Sequence, residues 1–144
     1  MSYKYSLATK LIHHYEGFEY EPYKDAVGIW TVGWGRTSGA MLPTTKEKEK
    51  VWLELELRKL NTFINSVVDP HQSPEQMAAL MSFIYNVGPS AFRRSTFLRT
   101  INNNRPDPNE LLKWSKAGTK VLPGLAKRRM SEYLLYNSGK LITF

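Results

Sequence analysis

The chain has 144 residues, no cysteine, 20 Lys and Arg against 13 Asp and Glu, and a formal net charge of +7. This length suits one compact domain or two small lobes sharing a core, and the missing cysteines exclude disulfides and thiolate metal sites. Residues 1–89 carry 9 basic and 10 acidic side chains, whereas residues 90–144 carry 11 and 3, so the C-terminal part is suited to an anionic partner or to a plain solvated face. No stretch approaches the roughly 18 apolar residues of a membrane span. The start, MSYKYSLATKLIHHYEGF, lacks a signal-peptide pattern, so synthesis in the cytoplasm is expected.

In chain order, residues 4–15 read as an amphipathic helix, with Leu7, Leu11, Ile12 and Tyr15 on one face and Gly17 as its stop. Glu16 then sits at the helix C-terminal end, where the dipole disfavours an ionised carboxylate. From Phe18 to Thr37 the signal changes to strand, with Tyr20, Tyr23, Ile29, Trp30, Thr31 and Val32 broken by Pro22 and Gly28. Asp25-Ala26-Val27-Gly28 reads as the turn, with Asp25 at its mouth and Thr31 on the returning strand. This β-element is too small to stand alone and must lean on helices.

Thr44 with Glu47 fits a capping box for a long helix over about 46–67, whose apolar positions include Val51, Trp52, Leu55, Phe63, Ile64 and Val67. Ser73-Pro74-Glu75-Gln76 starts another helix. Its body, MAALMSFIYNV, is apolar nearly all round and so belongs at the centre of a helical lobe. Gly88-Pro89 ends it. Asn102 to Pro108 is a turn cluster, followed by a short helix from Asp107 to about Lys116 with Trp114 inward, and a loop from Gly118 to Pro123. The last helix offers Leu125, Tyr133, Leu134 and Tyr136 for burial, with Lys127, Arg128 and Arg129 mostly exposed.

The chemistry concentrates in Glu16 to Thr37, EGFEYEPYKDAVGIWTVGWGRT. Two carboxylates and a hydroxyl at fixed spacing supply what glycoside hydrolysis needs: an acid that keeps its proton and a carboxylate that activates water. Solvated acidic residues beside strands are the plainer alternative. Other chemistries find little support. His13 and His14 are neighbours on a helix and point to different faces, and with His71 they are the only histidines, so no zinc site is expected. There is no G-x-S-x-G and no phosphate-binding glycine loop, and no cofactor is expected. A nucleic-acid module built on Arg93, Arg94, Arg99, Lys127, Arg128 and Arg129 is a rival, but these residues are scattered over several helices.

The pattern Glu16, Gly17, Tyr23, Asp25, Gly28, Thr31, Gly33 and Gly35 resembles the active-site segment of phage-type lysozymes, the endolysins of glycoside hydrolase family 24. The resemblance implies Glu16 as general acid, and Asp25 and Thr31 as holders of the attacking water. Many members have His, usually taken as a support of the acid, where this chain has Arg36, so Arg36 is the candidate support here and an impaired wall-binding relative is a second reading. The stretch YNVGPSAFRRSTFL is also similar to the family and offers Asn86 and Ser95 as sugar contacts, with helix capping as their alternative; Tyr23 is a further substrate-binding candidate. The resemblance runs with gaps from Leu7 to Tyr136. It implies a single α+β, mainly helical lysozyme-like domain over 1–144. A small N-terminal β-element in a lobe of about 1–45 is joined by a connector helix, about 46–67, to a helical lobe over 68–144. It also implies a monomeric peptidoglycan hydrolase with an inverting mechanism and no metal or organic cofactor, made in the host cytoplasm and acting on the wall.

Overall fold

The computed structural model describes residues 2–144. Helix α1 (Tyr3–Glu16) is followed by an antiparallel hairpin, β1 (Glu19–Lys24) and β2 (Trp30–Gly33). Tyr23 pairs with Thr31 and Lys24 with Trp30, and the register slips between Glu19 and Tyr23. Helix α2 (Lys46–Val67) leads to α3 (Pro74–Val87) and to the short helices α4 (Pro89–Arg93), α5 (Thr96–Asn102) and α6 (Asn109–Leu112). A two-residue-strand hairpin, β3 (Lys116–Ala117) and β4 (Lys120–Val121), precedes the last helix, α7 (Pro123–Ser138). The architecture is the mainly helical α+β one expected. No helix among the described residues is long and apolar enough to cross a membrane.

Helix α3 is the hub. Every residue from Met77 to Ile84 is buried, and the helix packs against α1, α2 and α7, which is what an all-round apolar helix demands. Its start is the expected capping box: Ser73 Oγ accepts from Gln76 N, and Gln76 Oε1 accepts from Ser73 N. Met77, Met81 and Phe83 are ordinary core.

Three local expectations need correction. The cap of α2 is Thr45, whose hydroxyl accepts from Lys48 N, while Thr44 is buried and its backbone N–H donates to Tyr20 O. The buried stripe of α2 is Glu49, Leu53, Leu57, Leu60 and Ile64, whereas Val51 and Leu55 are 62% and 54% exposed. Residues 116–121, expected as a helix end and a loop, form a hairpin, whose Gly118-Thr119 turn has Gly in the first position of a two-residue connection.

His13 on α1 stacks on Trp34, with ring centroids 3.8 Å apart and 13° between planes. Burial, then Lys50 and Lys46, holds its pKa below the usual 6.5. The unfolded chain therefore binds the proton more readily. Stability is complete above about pH 6.5 and is lost as pH falls from there toward the folded pKa. We expect the melting temperature of the parent to drop over that window and His13→Phe, which keeps the stack, to flatten the drop. Parallel melting curves from pH 5 to 8 check this.

Candidate active site

Glu16 is the last residue of α1, so its side chain leaves the helix where the hairpin and α7 converge. Two contacts fix its carboxylate. Arg128 Nη1 donates to Oε2 at 2.6 Å. Oε1 lies against Gly35, so close that a Cβ on that glycine would stand 2.8 Å from it. Gly35 has φ +91°, a region that L side chains rarely adopt. Both the backbone and the space thus require glycine here. Tyr85 closes the same corner, donating from its hydroxyl to Trp34 O at 2.6 Å. Burial, then Glu16, pushes the Tyr85 phenol well above its usual range.

Gly35→Ala should therefore displace the Glu16 carboxylate. We expect a soluble protein with the activity implied by the resemblance reduced at least tenfold, since an added methyl at a positive φ strains the turn and moves the Glu16 carboxylate. Turnover on peptidoglycan beside a circular dichroism spectrum checks it.

Arg36 is not the partner of Glu16. Its guanidinium holds Glu49, with Nη2–Oε1 at 2.7 Å and Nε–Oε1 at 2.8 Å. Glu49 is 1% exposed on α2, and a Cβ on Gly33 would stand 2.6 Å from its Cγ. The two glycines of Gly33-Trp34-Gly35 thus seat two different carboxylates, and Arg36 compensates the inner one. Its role is to join the loop after β2 to the start of α2.

The partner of Glu16 comes from the other end of the chain. Arg128 and Arg129, expected on the surface, are 3% and 0% exposed. Arg128 also donates from Nε to Glu132 Oε2 at 3.3 Å and from Nη2 to Ser82 O at 3.0 Å. Arg129 lies 3.2 Å from Glu132 Oε1, donates to Asn86 Oδ1 and sits 4.9 Å over the Phe83 ring. Two cations and two carboxylates, Glu16 and Glu132, form one interior cluster, and mutual compensation is what makes buried charge tolerable. Only Lys127 of the three expected basic residues is exposed. The spacing of Arg128 and Glu132, four residues apart on one helix, was the available signal.

The turn of the hairpin carries Asp25. Its Oδ1 accepts from Val27 N at 3.0 Å and Ile29 N at 2.9 Å, so the turn fixes the carboxylate through its own backbone. The expected turn is thus in place. Thr31 is 4% exposed, and its hydroxyl donates to Ile29 O at 2.9 Å, leaving its lone pairs as acceptors. Tyr23 is the cross-strand partner of Thr31, so both side chains project from one face of the hairpin. Burial raises the Tyr23 pKa, and after it Glu16, Glu19 and Asp25 do, so both carboxylates act on this one phenol.

Two open clefts of about 470 Å³ each lie in this region, one lined by Glu16 and the other by Gly35. One is lined by Glu16, Asn86, Arg128 and the Leu122–Leu125 start of α7. The other is lined by Gly35, Trp52, Tyr85 and Pro89. Each lies within the usual size for a small-ligand site. Asn86 stands in the first, with its Oδ1 engaged by Arg129. Ser95 does not reach either. It is 4% exposed, its hydroxyl donates to Phe92 O and accepts from Leu98 N, and it is the N-cap of α5. Of the two readings of Ser95, capping is the one its geometry fits.

The phage lysozyme family model matches residues 13–132. The chain belongs to the phage lysozyme family. The endolysin of Acyrthosiphon pisum secondary endosymbiont phage 1 is 32% identical over 137 residues, covering 90% of this chain and 94% of that protein. Among solved structures, the endolysin from Escherichia coli O157:H7 phage FAHEc1 superimposes with a TM-score of 0.84 at 27% identity, covering 99% of this chain and 96% of the other. The muramidase domain of SpmX from Asticaccaulis excentricus gives 0.84 at 29% identity, covering 91% and 95%. The family match takes in the Glu16–Thr37 segment and the Arg128–Glu132 segment together, the two stretches that meet at Glu16.

Proposed function

We infer that this chain is an endolysin-type muramidase, a peptidoglycan hydrolase of phage lysis. We propose that it cleaves the β-1,4 bond between N-acetylmuramic acid and N-acetylglucosamine with inversion. The observation that carries the mechanism is the unequal treatment of the two carboxylates. Glu16 has one oxygen held by Arg128 and the other turned to Gly35, and it lines the cleft with Asn86 and Arg128. Asp25 has one oxygen fixed by two backbone N–H groups and no salt-bridged cation among the described residues.

In the proposed reaction the Glu16 carboxyl, protonated on Oε1, gives that proton to the glycosidic oxygen as the bond from the anomeric carbon breaks. A water on the opposite face forms the new bond to that carbon. It hands one proton to the free oxygen of Asp25 and donates its other hydrogen to a Thr31 lone pair, so its own lone pair points at the sugar. Inverting hydrolases hold their carboxyl groups about 6.5–9.5 Å apart to leave room for this water. Tyr23 and Asn86 line the sugar path on either side of Glu16. Arg36, being bound to Glu49, gives no ground for an impaired site.

Peptidoglycan is the macromolecular partner, and the enzyme acts as a monomer, made in the host cytoplasm and working at the wall. Exposed Arg93, Arg94 and Lys127 suit a polyanionic wall or outer-membrane surface. Nucleic acid is disfavoured, because two of the six basic residues of that rival reading are internal. The test is digestion of purified peptidoglycan followed by mass spectrometry of borohydride-reduced products. N-acetylmuramitol at the new ends supports the reading, and N-acetylglucosaminitol contradicts it.

A further inference from the structure

The interior cluster behind Glu16 contains one charge that the proposed mechanism does not use. Glu132 is 0% exposed on α7, and its partner outside its own helix, Ser82, is 50 residues away in sequence. It accepts from Ser82 Oγ at 2.6 Å and from Arg128 Nε at 3.3 Å, and it pairs with Arg129 at 3.2 Å. Its contacts are therefore to the same guanidinium whose Nη1 meets Glu16.

We propose that Glu132 is a positioning residue that tunes the acid. It aims Arg128 at Glu16 and cancels one of the two buried guanidinium charges, so that Glu16 faces the field of about one cation and not two. This rests on the reading of Glu16 as the general acid. The geometry supports the electrostatic half directly. Arg128 is steered from three sides by Glu16, Glu132 and Ser82 O, and Arg129 has no carboxylate partner other than Glu132 among the described residues. Arg129 is also the one guanidinium whose proton affinity is reduced, by burial first, with Glu132 opposing and Arg128 adding to the reduction.

The other charged and titratable groups around the cluster are Tyr15, which shares the cleft with Glu16 and Arg128, Tyr85, which feels Glu16, Arg128, Glu56 and Glu49, and Tyr23, which feels Glu16, Glu19 and Asp25. Glu49 is compensated by Arg36. Burial holds the Tyr23 and Tyr85 phenols neutral to above pH 10. None of them can replace Glu132 as counter-charge to Arg129.

The test is the pH profile of kcat/KM on solubilised glycan strands, from pH 4 to 9, for three variants. Glu132→Gln keeps the shape and loses the charge. Its alkaline limb, where the acid loses its proton, should move about 1 pH unit toward acid, as expected for one unscreened charge several ångström away. Arg129→Met removes a cation while its stem still covers Phe83, and should move the same limb by about 1 unit in the opposite direction. The double variant should return close to the parent, within roughly 0.3 unit. KM should change little in Glu132→Gln, because Glu132 is internal; Arg129→Met also frees Asn86 Oδ1 in the cleft, so its pH profile is read from the position of the limb and not from KM.

A limb that stays in place in both single variants while the melting temperature falls would reduce Glu132 to a structural ion pair and overturn the proposal. Should Glu132→Gln not fold, Arg129→Met decides alone by the direction of its shift. Failure of the underlying reading is separately visible: Glu16→Gln would then remain active, whatever the limbs do.

Discussion

Glu16→Gln folds like the parent and loses wall lysis by a factor of about 10²–10⁴, the range that general acid catalysis contributes. The amide has the shape of the carboxyl group and can still face Gly35, but it has no proton acidic enough for the departing glycosidic oxygen. Folding should survive because Glu16 is only part-buried at the end of α1. Arg128 keeps Glu132 and the Ser82 carbonyl, and the amide oxygen remains as an acceptor for Nη1. A modest rise in thermal stability is compatible with this, since functional sites often hold strained groups. Clearing of wall suspensions at the parental rate by the folded variant would remove Glu16 from the chemistry.

Asp25→Asn and Thr31→Ala should each lower kcat and kcat/KM together, Asp25→Asn by about 10²-fold or more, because an interaction made only in the transition state is lost. Asp25 is the larger of the two, since in the proposed mechanism its free oxygen takes the proton while Thr31 only accepts a hydrogen bond. Its fold role should persist in the amide: Oδ1 of Asn can still accept from Val27 N and Ile29 N. Thr31→Ala also removes the bond to Ile29 O, so its melting temperature must be read beside its rate. A variant whose only defect is a raised KM would assign the residue to sugar binding.

Local pattern made much of this site legible. The turn at Asp25, the Tyr23–Thr31 pair and the glycines at 33 and 35 lie within 22 residues of Glu16, and period-2 strands broken by Gly and Pro announce themselves. The extents of the long helices were equally plain, and the capping box of α3 is local and stands as expected, whereas the cap of α2 falls one residue later than Thr44. What stayed hidden was set by distant contacts. Arg128 meets Glu16 across 112 residues of sequence, and three adjacent basic residues read as solvated unless Glu132 is placed beneath them. The resemblance offers Arg36 as support of Glu16 because it stands where many members have His, whereas the fold pairs it with buried Glu49. Val51 and Leu55 look like core positions on α2, yet the face turned to α3 carries Leu53, Leu57 and Leu60. Apolar periodicity alone does not say which of two adjacent stripes is covered.

The most direct test of the central claim, an acid at Glu16 and a water held by Asp25 and Thr31 on the opposite face, is the configuration of the first product. Proton NMR of a soluble glycan-strand oligosaccharide, recorded during the first minutes of hydrolysis and before mutarotation, resolves the two anomers at the new reducing end. Cleavage of a β-1,4 bond by direct attack of water should give the α-anomer first, with the β-anomer growing only as the sugar mutarotates. Initial appearance of the β-anomer would mean that a carboxylate attacked the sugar before water did, and would contradict the assignment of Asp25 and Thr31.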